Sequence, residues 1–116
     1  MYLRGLGQHQ FQKGTPMISV NSPKFELGQT LITPGAQEAM AATGESPWTF
    51  FASHLRCDWG IVDAEDAALN EESLKDGSRL LSAYRLKDGT KIWVITEAED
   101  DNGKRNCSTI LLPEEY

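Results

Sequence analysis

Most of what announces an enzyme is missing from this 116-residue chain. It has no glycine-rich phosphate loop, no dinucleotide fingerprint and no nucleophile elbow. Histidine occurs twice, at His9 and His54, and cysteine twice, at Cys57 and Cys107. Two thiols in separate parts of a chain of this kind are expected to be reduced and ordinarily packed. Positive charge is also scarce. Eleven Lys and Arg face seventeen Asp and Glu, a net charge of −6. Two of the cations, Arg4 and Lys13, fall in the first 16 residues, which hold no acid, so the remainder carries −8. Neutralising a phosphate backbone needs clustered Lys and Arg, so direct nucleic-acid binding is disfavoured. An acidic surface instead suits a basic protein partner, or solubility alone. No apolar run approaches the roughly 20 residues of a membrane span, and Met1–Pro16 lacks the apolar stretch of a secretory signal. A cytoplasmic protein without membrane contact is the expectation.

What is present is a strong hairpin signal. In Ser78–Glu97, SRLLSAYRLKDGTKIWVITE, two apolar runs flank Asp88-Gly89. Asp-Gly suits a two-residue type I′ turn. Counting outward from that turn sets Tyr84 opposite Trp93 and Ser82 opposite Ile95 on one face, and Ala83 opposite Val94 on the other. Both faces carry apolar side chains, whereas a sheet with one solvated face alternates more cleanly. One face should therefore meet helices, and the other the rest of the chain or a partner, including a second copy in a homodimer.

The remaining elements follow in order. Met1–Ser22, rich in Gly and Gln and without an apolar period, predicts a disordered extension, with Met17 as a plausible initiator. Residues 23–116 then form a single domain. Phe25–Ile32 predicts a first strand. Thr33-Pro34 predicts a capped helix that stops at Gly44, with Ala36, Ala39 and Met40 inward. Ser46-Pro47 repeats the device, and Trp48, Phe51, Ala52 and Leu55 share a helical face. Asp63 caps a third helix from Ala64 to about Lys75, ended by Gly77, with Leu69 and Leu74 on a mostly alanine face. Its acids Glu65, Asp66, Glu71 and Glu72 form an acidic surface. Ala98–Asn106 reads as a flexible acidic loop, and Cys107–Leu112 as a last strand returning antiparallel. The fold expected is α+β: an antiparallel sheet of three to four strands centred on the hairpin, with three helices mainly on one face.

Few residues offer chemistry. His54, Cys57 and Asp58 lie close together and would supply three metal ligands or a Cys–His pair. A closed zinc site takes four N or S donors at set spacings, and Cys57 near a helix C-terminus has its thiol pKa raised rather than lowered. No metal, cofactor or catalytic residue is therefore assigned. Glu97, Glu99, Asp100 and Asp101 lack the spacing of an EF-hand. Asp58-Trp59-Gly60 reads as a plug between the second and third helices, with Asp58 capping the amide of Ile61 or Val62. Alternatively, Asp58, Trp59, Arg79, Tyr84 and Trp93 line a binding groove.

The combination LGQTLITPGAQEAM, DWG, GSRLLSAYRLKDGTKIWVITEAE and TILLPEEY resembles a family of small "plasmid-related" proteins carried by plasmids and integrative elements, over about Phe25–Tyr116. LLSAY, KIWVITE and LLPEEY are its specific parts. The family has no established catalytic residues, so none is implied here. Three departures stand out: Cys57 occupies a position where the resemblance implies glycine, the loop EDDNGKRNCS is long, and the N-terminal extension is unusual. The resemblance implies a non-enzymatic accessory protein of a mobile element acting by protein binding, with antirestriction or anti-CRISPR interference with a host protein as the specific form. The alternatives are a small hydrolase or metal-dependent enzyme using His54, Cys57 and Asp58, and a self-associating structural or regulatory protein.

Overall fold

A computed structural model describes residues 22–116. The expected extension therefore lies, apart from Ser22, outside the described residues. The elements run β1 (Gln29–Ile32), α1 (Pro34–Thr43), α2 (Pro47–Leu55), α3 (Ala64–Asp76), β2 (Leu80–Arg85), β3 (Lys91–Thr96) and β4 (Cys107–Leu111), then one 3₁₀ turn, Pro113–Glu115. Among the described residues no helix is long and apolar enough to cross a membrane.

The helix boundaries follow from local chemistry. Thr33 Oγ1 accepts the Ala36 amide at 3.3 Å, Ser46 Oγ the Trp48 amide at 3.2 Å, and Asp63 Oδ1 the Asp66 amide at 2.8 Å. Each bond satisfies one of the amides that a helix start leaves open. Gly44 and Gly77 close α1 and α3 in the left-handed conformation. Helix α2 ends in the same way, but with a cysteine. Cys57 has φ 65°, its amide bonds the His54 carbonyl, and the Asp58 amide reaches back to Ser53. This is a Schellman ending with Cys57 at the position glycine favours.

The four strands form one sheet in the order β1-β4-β3-β2. The α+β class holds, but the sheet is mixed: β2, β3 and β4 are antiparallel neighbours, while β1 runs parallel to β4. The chain between β1 and β4 carries all three helices and the β2–β3 hairpin, more than enough for a parallel crossover. The first strand is also shorter than Phe25–Ile32. Gly28 is left-handed (φ 66°) and breaks the extended run, and Phe25 turns inward over His54 and Trp59.

The hairpin register differs by one residue from the type I′ reading. Leu86 and Thr90 close a three-residue loop: the Gly89 amide bonds the Leu86 carbonyl at 2.9 Å, and the Leu86 amide bonds Thr90 at 2.8 Å. Gly89 has φ 90° and Asp88 has no positive φ, so a type I turn with a left-handed glycine replaces the type I′ turn. Ala83 now faces Trp93, and Tyr84 faces Ile92. Tyr84 and Trp93 consequently lie on opposite faces of the sheet, because a one-residue slip inverts which side chains share a face.

The inner face carries Leu80, Ser82 and Tyr84 from β2, Ile92, Val94 and Thr96 from β3, and Ser108 and Ile110 from β4. Ile92, Val94 and Ile110 join Leu27, Ala36, Met40, Phe50, Phe51 and Leu86 in the hydrophobic core, so α1 and α2 cover this face. The buried stripe of α2 is Phe50, Phe51 and His54, whereas Trp48, expected inward, is 39% exposed against Phe51. Helix α3 lies along the edge strand β2, with Asn70 and Ser73 as its buried residues and Leu69 left 59% exposed. Asn70 Nδ2 donates to the Leu81 carbonyl at 2.8 Å, and its Oδ1 accepts the Leu81 amide at 3.0 Å. An edge strand is thus closed by a side chain.

Candidate binding face

The five residues expected to line one groove fall into two groups separated by the sheet. Asp58, Trp59 and Tyr84 gather at the β2 edge. Asp58 Oδ1 accepts the Gly60 amide at 3.2 Å, one residue short of the predicted cap, and the Tyr84 hydroxyl donates to the Asp58 carbonyl at 2.6 Å. Burial pushes the Tyr84 phenol up to about 12. The Ala83 amide donates to the Trp59 carbonyl, and the Ile61 amide to the Ala83 carbonyl at 2.7 Å. Gly60 (φ 77°) lies so close to β2 that a Cβ there would overlap the Ala83 carbonyl oxygen. Trp59 is buried against Phe25 and His54, and its Nε1 donates to Glu71 at 3.0 Å. The Asp-Trp-Gly sequence is therefore a clip that closes the β2 edge at Ala83.

His54 is wholly buried and spends both ring nitrogens on the sheet. Nδ1 lies 2.5 Å from Ser82 Oγ, and Nε2 lies 2.9 Å from Thr96 Oγ1. Thr96 Oγ1 lies 2.6 Å from Ser108 Oγ, which donates to the Leu27 carbonyl at 2.8 Å. The last acceptor sets the direction of the whole chain. Ser108 gives its proton to Leu27, so it accepts from Thr96; Thr96 in turn accepts from Nε2–H, and Nδ1 accepts from Ser82. The imidazole is neutral and protonated on Nε2. Burial, with a smaller effect from the Arg105 charge, pushes its pKa down to about 3. Both nitrogens are committed, so His54 does not converge with Cys57 and Asp58 on a metal. Among the described residues, no three His, Cys, Asp or Glu side chains are gathered to hold a metal ion. Cys57 and Cys107 are free thiols whose pKa values burial raises.

Two anchors were invisible as such in the sequence. Arg105, in the stretch read as a flexible loop, is buried. It donates to the carbonyls of Ser73, Ser78 and Glu97 at 2.7–3.1 Å, tying the end of α3 to the sheet. Asp100 holds that loop together, its Oδ1 accepting the Asn102 and Lys104 amides at 2.8 and 3.0 Å. Glu115 brings TILLPEEY onto LITPGA. Its carboxylate accepts the Thr33 hydroxyl at 2.5 Å, the Gly35 amide at 3.0 Å and the Leu112 amide at 2.9 Å. The Thr33 bond leads in holding the Glu115 carboxyl below the usual range.

Arg79 and Trp93 belong to the outer face, with Leu81, Ala83, Arg85, Lys91, Ile95, Thr109, Leu111 and Leu31. None of these belongs to the hydrophobic core cluster. The Trp93 and Tyr116 rings meet edge to face at 5.7 Å. The Arg79 guanidinium lies 5.4 Å over the Tyr116 ring and donates to its hydroxyl. Tyr116 is 67% exposed and Leu31 40%. An aromatic pair is thus held by a cation on a face that also displays Arg85 and Lys91. Comparison with family models, curated proteins and solved structures finds no match for this chain.

Proposed function

We propose that the chain is a non-enzymatic accessory protein of a plasmid or integrative element that works in the cytoplasm by protein–protein binding. The observation that carries this reading is the Trp93–Tyr116–Arg79 cluster on the outer face. Aromatic and Arg side chains are the residue types that anchor protein interfaces, and this cluster stands apart from the core. The acids Glu65, Asp66 and Glu72 of α3 are exposed beside β2, and they suit a basic patch on the same partner. A basic host defence protein that handles nucleic acid has that chemistry, and interference with it is the specific form of the proposal.

Affinity capture from host lysate with the wild type and with Trp93→Ala tests the reading. A host protein retained by the wild type and lost by a folded Trp93→Ala supports it. Retention unchanged by Trp93→Ala places binding elsewhere.

A further inference from the structure

The chain is strongly acidic, yet its outer sheet face is not. Arg79, Arg85 and Lys91 take outward positions there, Arg79 against Tyr116 and Arg85 donating to the Gly89 carbonyl of the hairpin loop at 3.0 Å. Glu97, the next residue in the β3 alternation, is the acid of that series. The complementary surface is in the same molecule. On α3, Glu65, Leu69 and Glu72 follow at i, i+4 and i+7, one helical stripe, all exposed and with the leucine in the middle. The fold makes no use of this stripe, since α3 turns Asn70 and Ser73 inward.

We propose that the outer face of one copy receives the Glu65–Leu69–Glu72 stripe of a second copy. Leu69 meets the Trp93–Tyr116 pair, and the acids meet Lys91, Arg85 and Arg79. The spans are compatible. Glu65 and Glu72 stand about 10 Å apart along α3, and Arg79 and Arg85 about 20 Å apart along the strand, a difference that the reach of the long Glu and Arg side chains covers. A two-fold contact of outer face on outer face would oppose Arg79, Arg85 and Lys91 to themselves. The charge pattern therefore selects a head-to-tail contact, which grows until it closes into a ring. The inference rests on the reading of the outer face as a binding face and adds a regulation to it. Self-assembly covers both surfaces that the host protein would meet, so only the dissociated chain is competent to bind.

Sedimentation equilibrium of the full chain decides the matter. The wild type should exceed monomer mass at about 500 µM in about 0.05 M salt, with association weakened about tenfold in about 0.5 M salt. Lys91→Glu spoils the receiving face, and Glu72→Ser combined with Leu69→Ser spoils the donated helix. Each protein alone should be monomeric. Mixed in equal amounts they should form a heterodimer that grows no further, because one sound face and one sound helix remain. A wild type that stays monomeric, variants that assemble like the wild type, or a mixture that stays monomeric each overturns the proposal. Binding of a labelled oligothymidylate that Lys91→Glu abolishes would make nucleic acid the occupant and overturn it as well. Trp93-dependent host capture by a strictly monomeric chain defeats self-docking and leaves the functional reading standing. Self-assembly without host capture does the reverse.

Discussion

The two faces of the sheet are built on different principles. The inner face is covered by α1 and α2 and holds both the apolar core and a fully satisfied polar chain from Ser82 through His54, Thr96 and Ser108 to Leu27. The outer face has cations and two aromatic rings held by one another. Adjacent residues of one strand divide between them: Ile92 is wholly buried inside, and Trp93 is half-buried outside. The inner face builds the core, and the outer face carries the exposed aromatic and cationic groups. Exposure alone would not separate them, because Ile95 and Leu111 are buried on the outer face too. What separates them is membership of the core and the kind of polar group present. Inside, each polar group is paired by another within the protein; outside, Arg79 braces a ring that stays exposed.

The largest effect should come from breaking the inner chain. His54→Ala leaves a cavity and strands Ser82 and Thr96, so urea unfolding should show a loss of roughly 3–5 kcal/mol. A loss below about 1 kcal/mol would mean that the polar chain contributes little to the inner face.

A smaller effect should follow from pH. The folded His54 has its pKa lowered from 6.5 to about 3, so the unfolded chain binds the extra proton between those values. Stability is therefore complete above pH 6.5 and falls as pH drops below it. The limit is about 1.4 kcal/mol per pH unit. The carboxylates of Glu115 and Asp100, held below their usual range, act only at lower pH. Unfolding free energy measured at pH 6.5 and pH 5 should differ in the wild type and not in His54→Gln. Equal slopes would contradict the neutral, Nε2-protonated imidazole.

The smallest change concerns the end of α2. Cys57 adopts φ 65°, which costs a side-chain-bearing residue about 1 kcal/mol. Cys57→Gly should therefore raise stability by roughly 0.5–1 kcal/mol, read as a higher urea midpoint. A lower midpoint would show that the half-buried thiol contributes more by packing than its backbone loses.

How much of this was legible in the sequence depended on the range of the interaction. Thr33-Pro34, Ser46-Pro47, Asp63, Gly44 and Gly77 act within one helical turn, and each marks a boundary correctly. The left-handed ending of α2 at Cys57 was not marked, because cysteine gives no sign of a positive φ. Asp88-Gly89 is compatible with two loop geometries, and choosing the shorter put Tyr84 and Trp93 on one face instead of on opposite faces. The parallel pairing of β1 with β4 joins residues far apart in the chain, and no local pattern announces it. The inner polar chain did leave a trace: Ser82, Thr96 and Ser108 occupy inward positions of three neighbouring strands. His54 falls four residues after Phe50 on the same helical face. Arg105 and Glu115 left none, because the carbonyls that Arg105 binds and the Thr33 hydroxyl and Gly35 amide that Glu115 binds lie far off in the chain or on other elements.

Ile92 and Trp93 test the central division most directly, being neighbours in β3 that point to opposite faces. Ile92→Ala and Trp93→Ala should be measured side by side by urea unfolding and by host-protein capture under conditions where both remain folded. Ile92→Ala should lose about 2–5 kcal/mol and still capture the partner. Trp93→Ala should lose clearly less and capture nothing. If Trp93→Ala costs as much stability as Ile92→Ala and the folded protein still binds, the outer face is a second core and not a recognition surface.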